Sequence, residues 1–79
     1  MKGNDIMTRF GKIEDNGGRV IYTVWKDDCR IAEDMGYDES IRFAKENNAD
    51  EVEAVIWYDE EDYNNYKPAD KFVSIWRRR

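Results

Sequence analysis

The chain has 79 residues, of which 41% are hydrophobic, 14% aromatic and 39% charged, with one cysteine, no histidine and a formal net charge of −5. That length makes residues 1–79 a single small domain with one two-layer core, and the aromatic content argues for folding where the charge content alone would suggest disorder. The missing histidine removes the usual general base and the commonest metal ligand.

Met7 to Ile13 and Arg19 to Trp25 read as two strands, joined across Glu14-Asp15-Asn16-Gly17-Gly18 by an Asn-Gly turn whose residues tolerate the positive φ that tight hairpins need. Cys29 to Tyr37 is readable as a third strand or as one helical turn, and the balance favours the strand. Asp38 is placed to N-cap a helix from Glu39 to about Asn47, with Ile41, Ala44 and the stem of Lys45 inward and Asn47-Asn48 closing it. Glu51 to Tyr58 reads as a strand, Asp59 to Asp70 as a polar loop holding the only proline, Pro68, and Lys71 to Arg77 as the last strand. The expected fold is α+β, in two layers. Its four- or five-stranded, mostly antiparallel sheet carries one helix packed on one face, in the order β-β-(β)-α-β-β.

A period of two sorts the strand residues between the faces. Val20, Tyr22, Val24, Val52, Ala54, Ile56, Val73 and Ile75 form an uncharged set, assigned to the face under the helix. The opposite set is Ile21, Thr23, Trp25, Glu53, Val55, Trp57, Phe72, Ser74 and Trp76, which gathers all three tryptophans on the face one helix cannot cover. Such a face is a candidate contact surface, for a partner or for a homodimer through Trp25, Trp57 and Trp76. Each tryptophan lies at the C-terminal end of its strand, so antiparallel neighbours should hold them apart.

Charge is sorted along the chain. Ile31 to Tyr66 holds twelve acids against Arg42 and Lys45, a local −10, while the segments before and after sum to +1 and +4. Spread over a globule about 30 Å across, ten charges amount to one per about 3 Å, within a factor of two of the one per about 1.7 Å along duplex DNA. That density is an upper limit, since some acids must lie on other faces. The ordinary reading of such acids is solubility. In composition, and in nothing more specific, the chain resembles the small acidic inhibitors that phages and mobile elements direct against restriction or CRISPR nucleases.

Chemistry-bearing motifs are few. An EF-hand loop needs glycine at the sixth position and a bidentate glutamate at the twelfth, whereas counting from Asp59 puts Asn64 sixth and Asp70 twelfth. No phosphate loop or nucleophile motif is present, and the chain is not expected to be an enzyme or to hold a cofactor or metal. Cys29 reads as a reduced thiol, no apolar run spans a bilayer, and Met1 to Ile6 lacks the apolar stretch of a signal peptide, so a cytoplasmic protein with no membrane partner is expected. The favoured function is a small acidic protein-binding inhibitor or regulator that occludes the basic, nucleic-acid-binding site of a partner protein. The candidate contacts are Asp59, Glu60, Glu61, Asp62, Tyr63 and Tyr66 in the polar loop, with Glu33, Asp34 and Trp57. The alternative is a small nucleic-acid-associated regulator that stacks bases on Trp76 beside Arg77, Arg78 and Arg79; the acidic balance opposes direct binding of a polyanion.

Overall fold

In the computed structural model, which describes residues 10–79, alternation along the strands becomes the two faces of a sheet. The elements are α1 (Gly11–Asp15), β1 (Arg19–Lys26), β2 (Cys29–Met35), α2 (Tyr37–Glu46), β3 (Glu51–Trp57), α3 (Glu60–Asn64) and β4 (Lys71–Arg77). The four strands form one open antiparallel sheet in the order β2-β1-β3-β4, with α2 between β2 and β3 in the chain, an α+β fold. Val20, Tyr22, Val24, Val52, Ala54 and Ile56 are buried together, and Val73 is packed against them. This is the uncharged parity set. Helix α2 presents Tyr37, Ser40, Ile41 and Ala44 at helical spacing to that face. The buried Ser40 hydroxyl donates to the Tyr37 carbonyl at 2.8 Å and so costs little. Ala44 and Ala54, both fully buried, let helix and sheet approach closely.

The expected first hairpin is not formed. Gly11–Asp15 is a helical turn, and the strand proposed from Met7 begins outside the described residues. Asn-Gly here ends a helix: Gly17 has φ 92, its N–H donates to the Glu14 carbonyl, and the Gly18 N–H donates to the Ile13 carbonyl at 2.8 Å. These two bonds are the Schellman closure, which wants a left-handed residue just past the helix. Gly18 is needed for a different reason, since a Cβ there would lie 2.7 Å from the Trp57 carbonyl oxygen and 2.9 Å from that of Ile13.

The tight hairpin lies one strand later. Lys26 pairs with Cys29, and the two residues between them, Asp27 and Asp28, have φ 51 and 65, the signature of a type I′ turn. The Asp27 N–H donates to the Asp50 carboxylate at 2.8 Å, and Arg78 donates to the other oxygen of the same group. Asp38 is not the N-cap. Helix α2 starts two residues earlier, capped at Gly36, whose N–H donates to the Glu39 side chain. Edge-on packing of Tyr37 against Tyr22, at 5.6 Å between centroids, holds Tyr37 in the first turn. Part of the expected polar loop is helix α3, capped by Asp59, whose carboxylate accepts the Glu61 N–H.

Candidate functional site

Only one sheet face is covered by α2. On the other, the registry between β1 and β3 sets Trp25 opposite Glu51, Thr23 opposite Glu53, Ile21 opposite Val55 and Arg19 opposite Trp57. Strand β4 extends these rows with Arg77, Ser74 and Phe72, and β2 adds Arg30 beside Trp25. Trp25 and Trp57 therefore stand at opposite ends of the face, six residue steps or about 20 Å apart. Between them run an apolar row (Ile21, Val55, Phe72) and a polar row (Thr23, Glu53, Ser74). The face is concave, with a volume of about 350 Å³, walled by Arg30, Glu33 and Asp34 on the β2 side and by Tyr63 and Ala69 on the other.

Trp76 does not belong there. A bulge on β4 opposite Val52 and Glu53 of β3, with Ile75 as the extra residue, shifts the register by one, so Trp76 pairs with the fully buried Val52 and packs against the core. Period-two counting cannot anticipate a bulge, because a single extra residue exchanges the faces. The surface proposed from three tryptophans thus holds two, joined by Phe72, which is 59% exposed. Thr23, expected on a wet surface, is 4% exposed, buried at the floor of the trough.

The Trp57 end is organised by α3. The Trp57 indole Nε1 donates to the Lys67 carbonyl at 2.9 Å. Tyr63 meets the Trp57 ring edge-on at 5.0 Å, and the Arg19 guanidinium lies 4.4 Å from the centre of the Tyr63 ring. Arg19 also pairs with Glu60 at 3.2 Å. The Glu60 N–H, in turn, donates to the Gly17 carbonyl, tying α3 to the turn that closes α1. The β2 wall is shaped by irregularity: β2 is bulged twice against β1, and Asp34 has φ 65. Bulges of this kind re-aim side chains and blunt an edge strand against unwanted pairing. Asp34 also borders a second, polar concavity of about 400 Å³ that includes Glu14, Arg19 and Glu60.

Of the nine residues singled out from the sequence, Glu33, Asp34, Trp57 and Tyr63 are brought together around the trough. Asp59, Glu60, Glu61 and Asp62 are not among its lining residues. Asp59 caps α3, Glu60 is held by Arg19, and Asp62 lies 3.5 Å from Lys67. Tyr66 does not line the trough, and it is 95% exposed with φ 60. The sequence reading missed Arg30 and Ala69 as wall residues; neither carries a local signal, since a hairpin register and a loop path place them. Among the described residues no group of three or more His, Cys, Asp or Glu side chains is arranged to hold a metal ion.

The ion pairs redraw the charge map. Arg19–Glu60, Arg30–Glu33, Lys67–Asp62, Arg77–Glu51 and Arg78–Asp50 each join an acid of the 31–66 segment to a cation from outside it. Exposed pairs like these add little stability, but they halve the −10 of that segment. Over the 34 Å long axis of the molecule, five remaining charges are one per about 7 Å, a factor of about four below duplex DNA. The folded segment is thus a sparser anion than its sequence count implies. Of the residues of the alternative nucleic-acid platform, Trp76 packs on the core, and the exposed Arg77 and Arg78 pair with Glu51 and Asp50. Comparison of the chain with protein-family models, curated proteins and solved structures finds no match to any of them.

Proposed function

We propose that this chain is a small acidic protein-binding regulator that occludes a basic, nucleic-acid-binding site on a partner protein, and that it does so with the sheet face opposite α2 rather than with the α3 acids alone. One observation carries the reading. The trough combines half-exposed aromatic side chains with Glu53 and Asp34, which enter none of the ion pairs found among the described residues. Trp and Tyr are the side chains that anchor protein interfaces, and unneutralised acids at their rim steer a cationic partner and suppress an anionic one. An open trough of this kind offers side-chain contacts to a macromolecule; small-molecule sites enclose most of their ligand. Likeness in composition to the inhibitors that mobile elements use against nucleases is compatible with this action and adds no residue to it.

The test is chemical cross-linking of the wild-type chain in a host lysate, in parallel with Val55→Glu. The partner retained by the wild type and lost by the variant is then purified, and its affinity for nucleic acid is measured with and without a stoichiometric amount of the chain. Occlusion requires competition, with nucleic acid and chain excluding one another. A stable ternary complex would overturn the reading.

A further inference from the structure

We propose that the trough between Trp25 and Trp57 is a docking groove for an extended segment of a partner protein in which an aliphatic residue and a Lys or Arg stand two positions apart, and that Tyr66 is a contact anchor at its Trp57 end. The inference rests on the reading above only for the choice of a protein partner. Three observations specify the occupant.

The first is row spacing. The apolar row Ile21–Val55–Phe72 and the row centred on Glu53 are two residues apart along β1 and β3, about 7 Å, which is the distance between successive same-facing side chains of an extended chain. An aliphatic residue over the first row places the next side chain on that face over the Glu53 carboxylate. The second observation is charge. The walls and floor hold Glu33, Asp34 and Glu53 against Arg30 alone, and the whole chain carries −5, so a second copy would meet both local and overall repulsion while a cationic segment is drawn in.

The third is Tyr66. Its N–H donates to the Tyr63 carbonyl and the Lys67 N–H to that of Asp62, at 3.1 and 2.9 Å. This is the same closure that ends α1 at Gly17 and α2 at Asn48, where the Asn48 and Ala49 N–H groups donate to Lys45 and Ala44. Glycine and asparagine suit the left-handed position; a bulky aromatic residue there is strained. Tyr66 is also 95% exposed, so its ring is left almost entirely free of packing by the described residues. Its neighbour Lys67 is the residue whose carbonyl holds the Trp57 indole, which sets Tyr66 at the Trp57 end of the face. A contact made to a partner accounts for the residue.

Selection from a displayed library of random twelve-residue peptides, with the intact chain as bait, decides the matter. The expected pool is enriched in sequences that carry Lys or Arg two positions from Leu, Ile or Val. Binding of the best sequence, read by fluorescence anisotropy, should weaken about tenfold in Glu53→Lys and about fivefold in Tyr66→Gly. If Glu53→Lys does not fold, Glu53→Gln carries that arm with a loss of about threefold. A pool without enrichment, a pool of acidic or uncharged sequences, or binding unchanged in both the Glu53 and Tyr66 variants would each overturn the proposal. So would a dimer in equilibrium sedimentation that is broken by Val55→Glu, because a second copy would then own the face. Groove binding by peptides without competition against nucleic acid would sustain this inference and sink the occlusion reading; competition that maps away from Glu53 and Tyr66 would do the reverse.

Discussion

Replacing Tyr66 by glycine should make the protein more stable, although it removes a large aromatic side chain. The left-handed conformation at φ 60 costs a residue with a Cβ about 1–2 kcal/mol, and glycine does not bear that cost. Glycine instead loses more backbone entropy on folding, about 0.5–1 kcal/mol relative to alanine. Burial hardly enters: with 95% of the residue already exposed, the ring removes some 10 Å² from water, worth about 0.25 kcal/mol. The balance favours Tyr66→Gly by about 0.5 kcal/mol, which raises Tm by about 2–4 °C in a domain of this size. Tyr66→Ala retains the Cβ and the strain, so it should sit within about 0.3 kcal/mol of wild type. Thermal unfolding followed by circular dichroism, with urea titrations to check that the m-value is unchanged, measures both. A glycine variant less stable than wild type would mean that the tyrosine is held by packing, and an alanine variant that gains as much as glycine does would mean that the ring, and not the backbone, is the source of strain.

Gly18→Ala should destabilise by about 2–3 kcal/mol, because the added Cβ meets the Trp57 and Ile13 carbonyl oxygens and neither backbone can yield cheaply; urea unfolding reads this directly. Asp28→Gly should stabilise by about 0.5–1 kcal/mol by creating the Asp-Gly pair that type I′ turns prefer, visible as a Tm increase with the fold unchanged. Ile56→Ala, at a side chain 1% exposed, should cost about 3–4 kcal/mol. Ser74→Ala, on the exposed side of β4, should cost under about 0.5 kcal/mol, and equal losses at the two positions would contradict the assignment of the faces.

The sheet was legible because its signal is local and repeated. Three residues of one parity in β1 and three in β3 are aliphatic or aromatic and uncharged, and a period of two needs no knowledge of partners to be read. What was illegible has two physical sources. Asn16-Gly17 offers positive φ, which a type I′ hairpin and a helix C-terminus both require, and the five residues of α1 before it are too few to show a helical period. Asp27-Asp28, which do turn the chain tightly, look like ordinary solvated charge. The β4 bulge is the second source. It follows from pairing with β3, so the sequence of β4 by itself places Trp76 on the wrong face, while Phe72, three residues before the shift, stays on the face its parity assigns.

Charge shows the same division between what is local and what the fold decides. Twelve acids between Ile31 and Tyr66 suggest a continuous anionic surface, and the count is correct. Folding returns Arg19, Arg30, Lys67, Arg77 and Arg78 from both flanks onto five of those acids. The segregation along the chain is therefore largely cancelled in space: Asp50 receives Arg78 across the sheet end, and Glu60 receives Arg19 from the strand beside it. Acids left without such a partner carry the field that a passing macromolecule meets, and within a Debye length of about 8 Å the nearest of them dominate. At the trough these are Glu53 and Asp34, set among aromatic side chains, while the four consecutive acids that dominate the sequence supply a helix cap, two ion pairs and the solvated Glu61. A surface chosen by counting acids along the chain would have been α3; a surface chosen after the cations are folded back is the open face of the sheet.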